Sequence, residues 1–110
     1  MIGCDIVKIS RFGNSLDKLT NKILTSLEKE EYKLADSKLN YIAGRWAAKE
    51  AIFKLTNSLE NFSILNHATG APYVFGHPNL HVSISHEREY CMAVAINTMY
   101  FQERNYDYPI

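Results

Sequence analysis

The sequence carries no net charge, with twelve basic groups balancing twelve acidic ones over 110 residues. That balance removes the broad positive field on which nonspecific attachment to nucleic acid or an anionic membrane depends, so a phosphate-bearing ligand must be met by a local cluster. Cysteine is scarce too. Cys4 and Cys91 each sit inside an apolar run, far apart in sequence, which excludes a zinc knuckle or a closely spaced redox pair and predicts free thiols in a reducing cytosol. No apolar stretch approaches the ~18 residues a membrane span needs. Met1 opens directly into a strand-like pattern rather than a basic signal region, so a soluble, cytoplasmic protein is expected. Linkers, repeats and low-complexity tracts are also missing.

What remains is sufficient for one compact unit. Hydrophobic residues make up 46% and charged residues 22% of the chain, and a chain of this length buries somewhat more than about 60% of its unfolded surface. A single domain spanning 1–110 is predicted.

Residues 2–9 form a short β-branched run with strand character, interrupted by Asp5. Thr25-Ser26-Leu27-Glu28 reads as a capping box opening a helix toward Leu34. Asp36 or Ser37 can cap the next helix, the longest element, running from about Lys38 to Leu55 without proline. Short strands are predicted around Phe62-Ser63-Ile64-Leu65 and Tyr73-Val74-Phe75, either side of the turn-prone Thr69-Gly70-Ala71-Pro72. His81 to His86 alternates as a strand. After the polar turn Glu87-Arg88-Glu89, Tyr90 to Ile96 reads as a strand buried on both faces, closing a hairpin. Asn97 to Ile110 reads as an edge strand or tail. The class is therefore α+β, with an antiparallel sheet packed with a long central helix and shorter helices.

The long helix is not an ordinary surface helix. On a helical wheel Ala48, Ala51, Ile52 and Leu55 gather with Tyr41 as a core stripe, while Arg45, Lys49, Glu50 and Lys54 share the opposite half with Ile42, Trp46 and Phe53. Both sides of such a helix are covered. Arg45 and Lys49 form a like-charge i,i+4 pair, unfavourable by a few tenths of a kcal/mol unless something anionic lies nearby. Glu50 and Lys54 form the favourable Glu-to-Lys arrangement, which by itself describes only a surface ion pair. Asp5, a carboxylate within an apolar strand, must be hydrogen-bonded, paired with a cation or bound to a metal. Were Asp5 and Glu50 to meet, they would offer two hard oxygen ligands, a set suited to Mg²⁺ completed by waters and substrate phosphates rather than to zinc.

The histidines suggest less. Pro78 between His77 and His81 argues against a helical zinc pair. His86 ends a strand beside a turn, where a side chain can reach a cleft. No Ser-His-Asp set, Gly-rich phosphate loop or dinucleotide fingerprint is present, which disfavours nucleophilic catalysis by this chain.

Five collinear segments together resemble the holo-acyl-carrier-protein synthase family, the small bacterial 4′-phosphopantetheinyl transferases. They are Ile2-Gly3-Cys4-Asp5-Ile6-Val7 followed by Arg11, Lys22-Ile23-Leu24-Thr25 with Glu28, and Tyr41-Ile42-Ala43-Gly44-Arg45-Trp46-Ala47-Ala48-Lys49-Glu50-Ala51 continuing to Lys54. Thr69-Gly70-Ala71-Pro72 and His81-Val82-Ser83-Ile84-Ser85-His86 complete the order. The resemblance implies the fold of that family and a Mg²⁺-dependent transfer of 4′-phosphopantetheine from coenzyme A to a serine of apo acyl carrier protein, leaving adenosine 3′,5′-bisphosphate. It implies that Asp5 and Glu50 are metal ligands and, with Lys54, catalytic. Arg45, Lys49, Lys54 and His86 would lie near coenzyme A. Arg11, with Lys18 and Lys22 beside it, would receive the acidic carrier. The family's usual homotrimer, with sites in clefts between protomers, would account for a helix covered on both sides. Three departures stand out: Leu55-Thr56-Asn57-Ser58-Leu59 lacks the family's frequent glycine, Lys8 stands where an acidic residue is common, and Lys22 replaces an arginine.

Two other readings use the same residues. A metal-dependent phosphodiesterase or nuclease could employ Asp5, Glu50 and His86, although a two-metal site usually wants further carboxylates. A noncatalytic trimeric module could recognise an acidic protein through Arg11, Lys18 and Lys22.

Overall fold

The computed structural model describes residues 1–99. Strand β1 (Ile2–Lys8) runs into a 3₁₀ turn (Ile9–Phe12) and then into helices α1 (Leu16–Ile23), α2 (Ser26–Leu34) and α3 (Lys38–Thr56). Strands β2 (Ile64–Asn66), β3 (Pro72–Val74), β4 (Leu80–Glu87) and β5 (Tyr90–Asn97) follow. The main sheet is antiparallel in the order β1-β5-β4, and β2 pairs antiparallel with β3 as a separate ribbon. The α+β class and the central helix agree with expectation. Of the predicted edge strand or tail, Asn97 closes β5, Thr98 and Met99 follow it, and residues 100–110 lie outside the described residues.

Local signals explain the boundaries. Both bonds of the capping box form: Glu28 N donates to Thr25 Oγ1 at 3.3 Å, and Thr25 N donates to Glu28 Oε1 at 2.9 Å. Ser37, rather than Asp36, caps α3 by accepting from Asn40 N. The helix ends at Asn57, which adopts φ 58°, a left-handed conformation that asparagine tolerates better than most residues. Asn57 thus closes the helix in a segment without glycine. Helix α1 is not among the predicted elements, although Leu16, Leu19 and Ile23 follow i, i+3, i+7 spacing.

The core lies between α3 and the inner face of the main sheet. Ile42, Ala47, Ala48, Ala51 and Ile52 pack against Val7, Cys91, Ala93 and Ala95. The alanines let helix and sheet approach closely, and the closest approach is at Gly3. A Cβ there would lie 1.8 Å from the Ala51 carbonyl oxygen, so only glycine fits.

One expectation is corrected. β5 is covered on its inner face only; Tyr90 and Met92 are exposed and Val94 half-buried on the outer face. The outer residues Ile2, Cys4 and Ile6 of β1 stand opposite Ile96, Val94 and Met92, forming a continuous apolar face. Nothing among the described residues packs over it as α3 packs over the other side.

Candidate active site

Strand alternation turns Gly3, Asp5 and Val7 toward α3. The close crossing at Gly3 brings Asp5 to the C-terminal part of the helix. There Lys54 Nζ donates to Asp5 Oδ1 at 3.2 Å and to the Cys4 carbonyl at 2.9 Å. Asp5 Oδ2 is buried and has no partner among the described residues. A buried carboxylate oxygen left in this state is unfavourable, and a further cation would satisfy it. Glu50 stands one turn before Lys54, at a Cβ spacing of about 5–6 Å for i,i+4 neighbours. It is half-buried and makes no hydrogen bond or ion pair among the described residues. Lys54 thus has a carboxylate on its strand side and another one turn back along its own helix.

This donor set fits Mg²⁺. It offers two hard oxygen groups, one with an orphaned atom, and no group of three His, Cys, Asp or Glu residues that could form a closed transition-metal site exists among the described residues. Glu50 also lines a groove of about 480 Å³ with Lys22, Trp46, Phe53 and Leu59. Asp5 is outside the walls of that groove.

Arg45 and Lys49 have internal partners. Arg45 Nη2 donates to Glu31 Oε1 at 3.2 Å and to Asn66 Oδ1 at 2.8 Å, and its guanidinium lies 4.2 Å from the Tyr41 ring centroid. Its Nε is buried without a partner among the described residues. Lys49 Nζ donates to the Ile23 carbonyl at 2.7 Å, Glu28 Oε1 at 2.6 Å and Asn61 Oδ1 at 2.5 Å. The anions that offset this like-charge pair are therefore Glu31 and Glu28, both on α2. Burial lowers the Lys49 pKa, an effect that the Glu28 carboxylate opposes. Tyr41, which donates to Glu31 Oε1 at 2.8 Å, is pushed up chiefly by burial. In the sequence Glu28 reads as a cap but not as the partner of Lys49. Twenty-one residues separate them, so no helical or strand periodicity connects the two.

His86 lies elsewhere. Its Nε2 donates to the Asn40 carbonyl at 3.0 Å, and a Cβ on Gly44 would lie 3.4 Å from that nitrogen. Asn40 and Gly44 precede Lys54 by fourteen and ten residues, between about 15 and 21 Å along the helix axis. Within one chain, Asp5 and Lys54 thus meet near one end of α3, with Glu50 one turn before Lys54 and His86 near the other end. Arg11 on the 3₁₀ turn and Lys18 and Lys22 on α1 are exposed, and the two lysines share a face at i,i+4. His77 pairs with Glu60 and His81 with Thr98, so the two histidines have separate partners. The Cys91 thiol is fully buried, and burial, followed by the charge of Asp5, pushes it up to about 11. It stays protonated and is a packing group.

Residues 1–95 match the family model of the 4′-phosphopantetheinyl transferase superfamily. The holo-[acyl-carrier-protein] synthase of Acholeplasma laidlawii is 38% identical over 109 residues, covering 86% of this chain and 92% of the relative. That of Mycoplasma mobile is 38% identical over 96 residues, covering 87% of each. Among solved structures, the holo-(acyl-carrier-protein) synthase of Bacillus anthracis in complex with CoA (3′,5′-ADP) superposes with a TM-score of 0.76 at 30% identity, covering 87% of this chain and 93% of that one. The Helicobacter pylori enzyme in complex with coenzyme A gives a TM-score of 0.72 at 27% identity, covering 88% of this chain and 99% of that one. The match over almost the whole described chain, together with the collinear motifs, means that the protein belongs to the holo-acyl-carrier-protein synthase family of 4′-phosphopantetheinyl transferases.

Proposed function

We propose that the chain transfers 4′-phosphopantetheine from coenzyme A to a serine of an apo acyl carrier protein, with Mg²⁺, and releases adenosine 3′,5′-bisphosphate. The observation that carries this reading is the half-satisfied Asp5 carboxylate beside Lys54, one helical turn from Glu50, which has no partner among the described residues. The names of the relatives and the coenzyme A complexes of the structural neighbours support it.

In the proposed reaction the carrier serine gives up its hydroxyl proton to water, its oxygen attacks the phosphorus that bears pantetheine, and the bond from that phosphorus to the bridging oxygen breaks. The leaving group is adenosine 3′,5′-bisphosphate. The nucleophile comes from the carrier, so this chain needs none of its own. Asp5 and Glu50 would hold Mg²⁺, whose positive charge would offset the charge that develops on the leaving group. Lys54, half-exposed beside them, supplies a fixed positive charge to the coenzyme A phosphates. Arg11, Lys18 and Lys22 form a basic docking surface for an acidic carrier.

The proposed active form is a homotrimer with each site between protomers. Two features support it: the apolar outer face of the main sheet, and the distance along α3 between the Asp5–Lys54 cluster and His86. A second copy would bring its own exposed His86 toward the first copy's carboxylates. Such an assembly is consistent with a fatty-acid biosynthetic role in the cytoplasm.

The test is to mix the protein with coenzyme A, Mg²⁺ and purified apo carrier and to weigh the carrier by mass spectrometry. Addition of one phosphopantetheine is expected. An unmodified carrier, with cleavage of nucleic acid in a parallel incubation, would select the nuclease instead. An unmodified carrier that binds tightly without cleavage of nucleic acid would select the noncatalytic module.

A further inference from the structure

The ammonium group of a lysine has three N–H donors, and in Lys49 all three are committed inside the protein. Its side chain is 15% exposed, and the carboxylate it meets, Glu28, is completely buried. Glu28 is itself fully engaged: Oε1 accepts from Thr25 N and Lys49 Nζ, and Oε2 accepts from Ile64 N at 2.9 Å. The Ile23 carbonyl, at the C-terminal end of α1, accepts both from Lys49 Nζ and from Asn61 Nδ2. One buried cation therefore joins the end of α1, the start of α2, the segment before β2 and the middle of α3.

This network lies between the two surfaces on which the proposed reaction depends. Lys22, one residue before Ile23, belongs to the basic docking face. Glu50, one residue after Lys49, is a proposed metal ligand. Lys22, Lys49 and Glu50 line the same groove.

We infer that Lys49 is a positioning residue: it fixes the carrier-docking helix relative to the carboxylate helix, so that a docked serine arrives in line with the pyrophosphate. A phosphate ligand at this position would need a free donor, and Lys49 has none. Loss of the tie would leave α1 able to bind the carrier but poorly aligned, and a misplacement of about 1 Å at a reacting centre costs roughly 10²-fold in rate.

This inference rests on the proposed transfer reaction, and its test is chosen so that the two can fail separately. Coenzyme A binding is measured by calorimetry, without turnover, for the wild type, Lys49→Met and the double variant Glu28→Gln/Lys49→Met. The double variant removes the stranded buried carboxylate and stays testable if the single variant fails to fold. Transfer is followed by carrier mass at a temperature where circular dichroism reports a folded chain. The expected result is a dissociation constant for coenzyme A within twofold of wild type, with kcat reduced at least tenfold in the variants. Lys49→Arg, which keeps the charge and donors toward Glu28 and the Ile23 carbonyl, is expected to recover part of that loss. A tenfold weaker affinity for coenzyme A with kcat unchanged would make Lys49 a phosphate ligand and overturn the inference. Wild-type kcat in a folded variant would reduce Lys49 to a packing group and overturn it as well. A wild-type protein that binds coenzyme A but never modifies a carrier would instead refute the transfer reaction.

Discussion

Lys54 Nζ lies 3.2 Å from Asp5 Oδ1, while the second oxygen of the same carboxylate is buried and has no partner among the described residues. Lys54 is half-exposed and two of its three N–H groups donate to Asp5 and the Cys4 carbonyl, so the third is free to meet a phosphate while the buried carboxylate keeps its partner. Lys54→Ala is therefore expected to keep the fold and to raise the Michaelis constant for coenzyme A by about 10- to 100-fold, the range for a charge-assisted hydrogen bond of about 1.5–3 kcal/mol. Steady-state kinetics at saturating carrier check this. An unchanged Michaelis constant would remove Lys54 from the phosphate site.

Arg11, Lys18 and Lys22 are exposed, so their contribution to a complex should be electrostatic and screened by salt. Lys18→Glu/Lys22→Glu is expected to raise the Michaelis constant for the carrier by about tenfold or more at low ionic strength, with the gap narrowing as salt rises. A response to coenzyme A concentration identical to wild type completes the expected pattern. Equal carrier affinity at all salt concentrations would move the docking surface elsewhere.

Gly3 gives a purely structural prediction. A methyl group there would overlap the Ala51 backbone carbonyl at 1.8 Å, and backbone cannot rotate away as a side chain can. Gly3→Ala should destabilise the chain by about 2 kcal/mol or more, from overpacking between β1 and α3. Urea denaturation checks it, and a variant as stable as wild type would contradict the close crossing that delivers Asp5 to Lys54.

The outer sheet face tests the proposed assembly. Ile6 is 62% exposed within one chain and stands opposite Met92 on that face. Ile6→Lys is expected to yield monomers by sedimentation and to abolish transfer. In a second experiment, Glu50→Ala and His86→Ala chains, each impaired alone, should regain activity when unfolded together and refolded. A fully active Ile6→Lys monomer, or failure of the mixed chains to complement one another, would place the whole site within one protomer.

The legible parts of the fold are those governed by local chemistry. Thr25 and Glu28 announce a helix because a capping box needs only four consecutive residues. The alternation from His81 to His86 and the apolar run after it announce a hairpin for a similar reason. Helix α1 is less visible because its eight residues carry only a few apolar positions. The partners of Arg45 and Lys49 are not legible at all. The wheel shows two cations requiring an anion, and a substrate phosphate and a buried glutamate satisfy that requirement equally well. Only the packing of α2 on α3 reveals Glu31 and Glu28 in that place. The outer face of β5 is a related case: an apolar run on both faces reads as a strand buried on both, whereas the chain covers only the inner face and leaves Tyr90 and Met92 exposed.

The most direct test of the account is the rate of phosphopantetheine addition to apo carrier, read by mass spectrometry for the wild type with Mg²⁺, the wild type with excess EDTA, Asp5→Ala and Glu50→Ala. Each of the last three conditions is expected to slow transfer by at least roughly 100-fold, since loss of even an outer partner of a metal ligand costs about 10- to 100-fold. Circular dichroism should remain native in both variants. Transfer at the wild-type rate by either folded variant, or by the wild type stripped of divalent ions, would contradict the account.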